Sequence, residues 1–110
     1  MDKLSLDAVA REHLRAAHDA GGGRAAETVY GGHEKTLRQT VVALTAGSSL
    51  AEHENPGEAT MQVLHGRVRL VAPHATWEGR DGDLLVIPQS RHSVEAVTDA
   101  AVLLTVAKVR

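Results

Sequence analysis

The sequence predicts an all-β sandwich or barrel with one N-terminal α-helix, and three observations predict it. From residue 24 onward, short runs of β-branched and aliphatic residues recur at close intervals. Residue pairs that favour turns divide these runs: Gly31-Gly32, Pro56-Gly57, His65-Gly66, Asp81-Gly82 and Thr98-Asp99. Helical spacing is confined to the segment ahead of Gly21-Gly22-Gly23.

In that first segment Leu6, Val9, Ala10, Leu14 and Ala17 repeat at three and four residues, which gives one apolar helix face between about Ser5 and Ala20. Ser5 or Asp7 can cap its start, Asp7 and Arg11 sit one turn apart, and the glycine triplet ends it. Residues 1–23 are therefore read as a helix with a glycine linker and residues 24–110 as a β-barrel domain. Strands are expected at Ala26–Tyr30, Leu37–Leu44, Leu50–Glu54, Thr60–Leu64, Arg67–Ala72, Thr76–Glu78, Leu84–Ile87, Ser93–Ala96 and Ala101–Lys108. Arg67 and Arg69, two apart on one strand, should share a polar face.

Leu84-Leu85-Val86-Ile87 and Ala101-Val102-Leu103-Leu104 are continuously apolar, where a strand with one wet face alternates. Both faces of these two strands are expected to be covered, by the helix or by a second subunit. Tyr30 and Trp77 are the only aromatic residues, so the core of this 110-residue chain must be filled by smaller side chains. A domain this small gains stability from a partner, and a homodimer is expected.

A formal charge of −2 gives no electrostatic reason to bind nucleic acid or an anionic membrane. The absence of cysteine excludes disulfides, thiolate metal sites and cysteine nucleophiles. The N-terminus has neither the basic start nor the apolar core of a signal peptide, and no apolar run is long enough to span a bilayer, so a cytoplasmic protein is expected. Gly21-Gly22-Gly23-Arg24 follows a helix and lacks the Lys-Ser or Lys-Thr of a phosphate loop. His-Glu-x-x-His and Gly-x-Ser-x-Gly are absent, and one helix cannot supply a helix-turn-helix.

Two glycine-framed histidine segments carry the chemistry. The first runs Gly47, His53, Asn55, Ala59 and Gly66; the second runs Gly82, Pro88, Ser90, His92 and Ala96. In this order and spacing they resemble the two motifs of the cupins, whose first motif has His where Asn55 stands and Glu where Ala59 stands. The second motif runs one residue short here, with Ser90 near its glycine position and Ala96 in place of Asn. The resemblance implies an antiparallel jelly-roll barrel. It also implies that His53 and His92 are retained ligands of one divalent metal inside the barrel, with Asn55 as a weak third. Without the glutamate the site lacks an anionic ligand to offset the metal's charge, so such an ion would be weakly held.

Glu58 adjoins the vacant glutamate position, but on a regular strand a one-residue offset puts it on the opposite face. A bulge near Pro56-Gly57 would reverse that. Gln62, polar within Met61–Leu64, and Arg91, beside His92, are further candidate ligand contacts; alternation turns Gln62 away from the Ala59 face. His13 and His18, five apart, fall on different helix faces and read as solvent-facing, as do His65 and His74, while His33 is placed to reach a barrel mouth. Two functions remain. In one, a module binds a small molecule through His53, Asn55 and His92 against Val and Leu walls. In the other, a metal-dependent enzyme of the dioxygenase or isomerase type acts on an oxygen-rich metabolite.

Overall fold

The computed structural model describes residues 3–53 and 57–108, with backbone alone at 51–53. The helix α1 spans Leu6–Asp19, and nine strands follow: β1 (Arg24–Gly31), β2 (Leu37–Leu44), β3 (Ser49–His53), β4 (Gly57–His65), β5 (Arg67–Ala72), β6 (Ala75–Arg80), β7 (Leu84–Val86), β8 (His92–Ala96) and β9 (Ala100–Lys108). They form two sheets, ordered β1-β2-β9-β4-β7 and β3-β8-β5-β6, and every recorded pairing is antiparallel. This is the expected jelly roll. The sheets face each other across a core that includes Val42, Leu44, Met61 and Val63 of one and Val68, Leu70, Val94 and Ala96 of the other.

Side-chain alternation assigns the faces. In β4, Ala59, Met61 and Val63 are buried while Glu58 and Gln62 are exposed. On the outer wall of the other sheet, Arg69 lies 3.3 Å from Glu78 and 3.5 Å from Glu95, and Arg67 lies 3.4 Å from Glu78. This is the polar face expected of the two arginines.

The helix begins as expected, with Ser5 Oγ accepting the Ala8 N–H at 3.2 Å and Asp7 lying 3.5 Å from Arg11. Its fully buried Ala17 and nearly buried Ala10 lie on a face that packs against β1, β2 and β9. Val41, Ala43, Ala101 and Leu103, on the outer side of the five-stranded sheet, are thereby buried. The continuous apolar run in β9 is explained: the core covers one face and the helix the other. At 14 residues, α1 is too short to cross a membrane, and no helix among the described residues is long and apolar enough to do so.

One expectation needs correction. His13 and His18 are not merely solvated, because each reaches a carboxylate of the barrel: His13 Nε2 lies 3.2 Å from Glu27 Oε1, and His18 Nε2 lies 2.5 Å from Asp99 Oδ2. Their different faces suit them to two separate partners. In β7, Leu85 turns toward the core, but Leu84 is 61% and Val86 76% exposed, so within one chain the outer face of this strand has no cover.

Asp99 also accepts the Ala46 N–H at 2.8 Å. That backbone hydrogen bond, and the His18 hydrogen bond after it, hold the Asp99 carboxyl below the ordinary carboxylate range. A carboxyl depressed in the folded state stabilises above its unfolded pKa, and that stabilisation disappears as pH falls through the folded value. Asp99→Ala should lower the melting temperature near pH 6, with the gap to wild type closing as pH drops below about 4. A gap of constant size across that range contradicts this role.

The barrel has two unlike ends. At one, the chain turns from β2 to β3, β4 to β5, β6 to β7 and β8 to β9. The other collects the ends of β1, β3, β5 and β7 and the starts of β2, β4, β6 and β8. His53, Gly57, Ala59 and His92 all belong to this second end.

Candidate functional site

His92 opens β8 and is 3% exposed, the one buried polar or charged residue among those described. Its inward position follows from alternation, since Val94 and Ala96 on the same strand are core residues. Nδ1 lies 3.0 Å from the Ser90 carbonyl oxygen. A carbonyl only accepts, so a ring hydrogen resides on Nδ1. Histidines that hold a ligand or metal are commonly oriented by such a bond.

The loop ahead of His92 is fastened to the start of β4. Ile87 N–H donates to the Ala59 carbonyl at 3.0 Å, and Gln89 Nε2 donates to the Gly57 carbonyl at 2.7 Å. Pro88 lies between these two anchors, so the second motif is held against the last part of the first. On the other side of β8, the backbone of His53 pairs in register with that of His92, after an irregularity between Leu50 and His53. The two motif histidines thus occupy facing positions on adjacent strands, far apart in sequence.

The other expected site residues are placed as follows. Asn55 lies outside the described residues. Ala59 is 8% exposed and belongs to the core, while Glu58 is exposed on the opposite face. Alternation is unbroken from Gly57 to Val63, and the irregularity in β4 comes later, between Val63 and His65. The described part of the strand therefore gives Glu58 no route to the interior. Gln62 pairs in register with Leu84 and Leu103 on the outer wall, so the structure does not bring it to His92. Arg91 is exposed beside His92 at the rim. His33 is exposed in the loop between β1 and β2, where its carbonyl lies 3.4 Å from Lys108 Nζ.

No three histidine, aspartate, glutamate or cysteine residues converge among the described residues. The glutamate position is an alanine packed in the core and the neighbouring carboxylate faces away. The described side chains do not by themselves supply the three or four protein ligands of a resident divalent ion.

Sequence reasoning missed two residues at this end. Gln89 is the side chain that pins the loop of the second motif. Arg38 stands on the inner face of β2, two positions before Thr40 and four before the core residue Val42. Counting back from Val42 by twos would have found it. A separate groove lies outside the barrel, where Leu4 and Leu6 meet Tyr30 and Leu103. The motif histidines do not line it.

Among solved structures, the chain is similar to a conserved protein of unknown function from Streptococcus pyogenes, with 25% identity over 83% of this chain and 79% of that one and a TM-score of 0.73. An RmlC-like cupin protein from Desulfovibrio desulfuricans shares 31% identity over 76% of this chain and 81% of its own, with a TM-score of 0.67. Salicylate 1,2-dioxygenase from Pseudaminobacter salicylatoxidans superposes with a TM-score of 0.75 at 23% identity, a likeness of fold that spans 91% of this chain but 33% of the dioxygenase. No family model and no curated protein matches the chain.

Proposed function

The chain belongs to the RmlC-like cupins, and from that premise we propose that it is a cytoplasmic module that binds a small molecule at the end of its barrel where His92 begins β8. The observation that carries this reading is His92, buried, fixed by the Ser90 carbonyl and opposite His53 in register, at an end of the barrel whose expected carboxylate is Ala59. An oriented imidazole among aliphatic walls offers hydrogen bonding and apolar contact. Two imidazoles, with the amide of Asn55 as a third donor, leave a divalent ion weakly held, its shell completed by water or by the ligand itself.

Elemental analysis of protein purified without an affinity tag tests this against the metal-dependent alternative. The proposal expects well under one transition-metal ion per chain, with little change when His53 and His92 are both replaced by Ala. Stoichiometric metal that disappears in that double variant would replace the binding module with a metal-dependent dioxygenase or isomerase.

The active assembly in this reading is a homodimer. The exposure of Leu84 and Val86 supports it, because a second copy laid on the outer wall covers the apolar strand that the helix does not reach.

A further inference from the structure

The end of the barrel where His92 begins β8 carries a cation on its inner wall that no carboxylate among the described residues answers. Val42 and Leu44 of β2 lie in the core, and the β2–β9 register is unbroken from Leu37 to Leu44, so Thr40 and Arg38 occupy the same inward face. Arg38 pairs with Val106, and Val106 pairs in turn with Ala59. Arg38, Val106 and Ala59 therefore form one row across the inner wall, at the end of the barrel where His92 begins β8. Arg38 is half-buried, and no described residue gives its guanidinium a hydrogen bond or ion pair. Lys108, two residues beyond Val106, is already engaged: its ammonium donates to the carbonyls of Gly32 and His33.

Where side chains are described, the inward positions of the strands include no Asp or Glu. A guanidinium is a permanent cation, so Arg38 puts a positive charge in a partly desolvated place with no counter-ion among the described residues. An arriving cation is repelled there and an arriving anion is stabilised. The planar fork of a single guanidinium matches a carboxylate at two points, and the aliphatic walls suit an apolar body behind it. The hydroxyl of Thr40, 3.3 Å from that of Thr28, adds a polar group one row further in.

We propose that the ligand is a small monocarboxylate, received by Arg38 at this end of the barrel with His92 on the facing sheet. This rests on reading that end as a ligand site and adds the charge of the ligand. It also accounts for an uncharged Ala59 in the same row, since a carboxylate there would neutralise Arg38 from within.

Calorimetric titration of the chelator-treated chain with benzoate, with benzamide as the neutral isostere and with inorganic phosphate tests it. Benzoate is expected to saturate the protein and to bind at least about tenfold more tightly than benzamide. Arg38→Gln should remove that preference, with benzoate losing more affinity than benzamide, whereas Arg38→Lys, which keeps the charge and loses the fork, should retain part of it. Equal affinity for acid and amide, a preference that survives Arg38→Gln, or tighter binding of phosphate than of benzoate each overturns the assignment to carboxylates while leaving the site in place. Failure of all three compounds to bind overturns both this inference and the reading it rests on.

Discussion

Gly66→Ala should cost about 3 kcal/mol of folding stability, combining roughly 1–2 kcal/mol for a side chain in left-handed backbone with a comparable overpacking term. Gly66 lies at φ +87° at the corner where the chain leaves β4 for β5 and so changes sheet. A Cβ there would stand 2.1 Å from the Asp99 carbonyl oxygen and 2.9 Å from Ala100 Cα. Both are backbone atoms, and the Asp99 turn that would have to yield is tied to Ala46 and His18. Gly47 supplies the control. It has nearly the same φ, +85°, but no atom lies within 4 Å of an added Cβ, so Gly47→Ala should show the strain without the collision. Urea denaturation measures both. A Gly66→Ala cost no larger than that of Gly47→Ala contradicts the crowded corner. Small domains have only about 5–15 kcal/mol in hand, so the larger loss would be visible in yield as well.

The second large effect concerns the outer wall. Leu84 and Val86 stand two residues apart on β7, and the row that starts at Val86 continues through Thr60, Thr105 and Gln39 to Tyr30, half of which is exposed. The wall is polar in the middle and apolar at its margins. Covering one exposed aliphatic side chain of this size contributes about 1.5–3 kcal/mol. A two-fold contact covers each twice. Replacing both Leu84 and Val86 with Glu removes that contribution and brings carboxylates of the two copies together. Light scattering should show twice the chain mass for the wild type and the single mass for the double variant. A wild type already at the single-chain mass contradicts the dimer.

Much of the fold was legible because its signals are local. The change from a spacing of three and four to short alternating runs separates α1 from the strands, and all nine expected strands appear, with ends shifted by a few residues. His92 was legible through the second motif even though that motif runs one residue short. The rest depended on contacts that spacing does not encode. Histidines five apart were tested only against a shared metal, whereas each finds its own carboxylate, Glu27 or Asp99, distant in sequence. The apolar runs of β7 and β9 look alike in sequence, yet α1 lies over β9 and leaves β7 open, a difference set by sheet order. Arg38 opens a run that ends in core residues, and its inward face becomes evident only from the unbroken β2–β9 register.

That register also bears on the site. A barrel end that presents Arg38 and His92 inward, with Ala59 between strands that hold no described carboxylate, is suited to receive negative charge. The outer groove beside Tyr30 and Leu4 is a competing place for a small molecule, and it lies on the opposite side of the same sheet. The two locations are separated most directly by backbone amide shifts on adding benzoate to isotopically labelled protein. Perturbations centred on residues 57–59, 87–94 and 38–40 are predicted. Perturbations confined to residues 3–6 and 29–30, with those around His92 unmoved, would contradict a binding site inside the barrel.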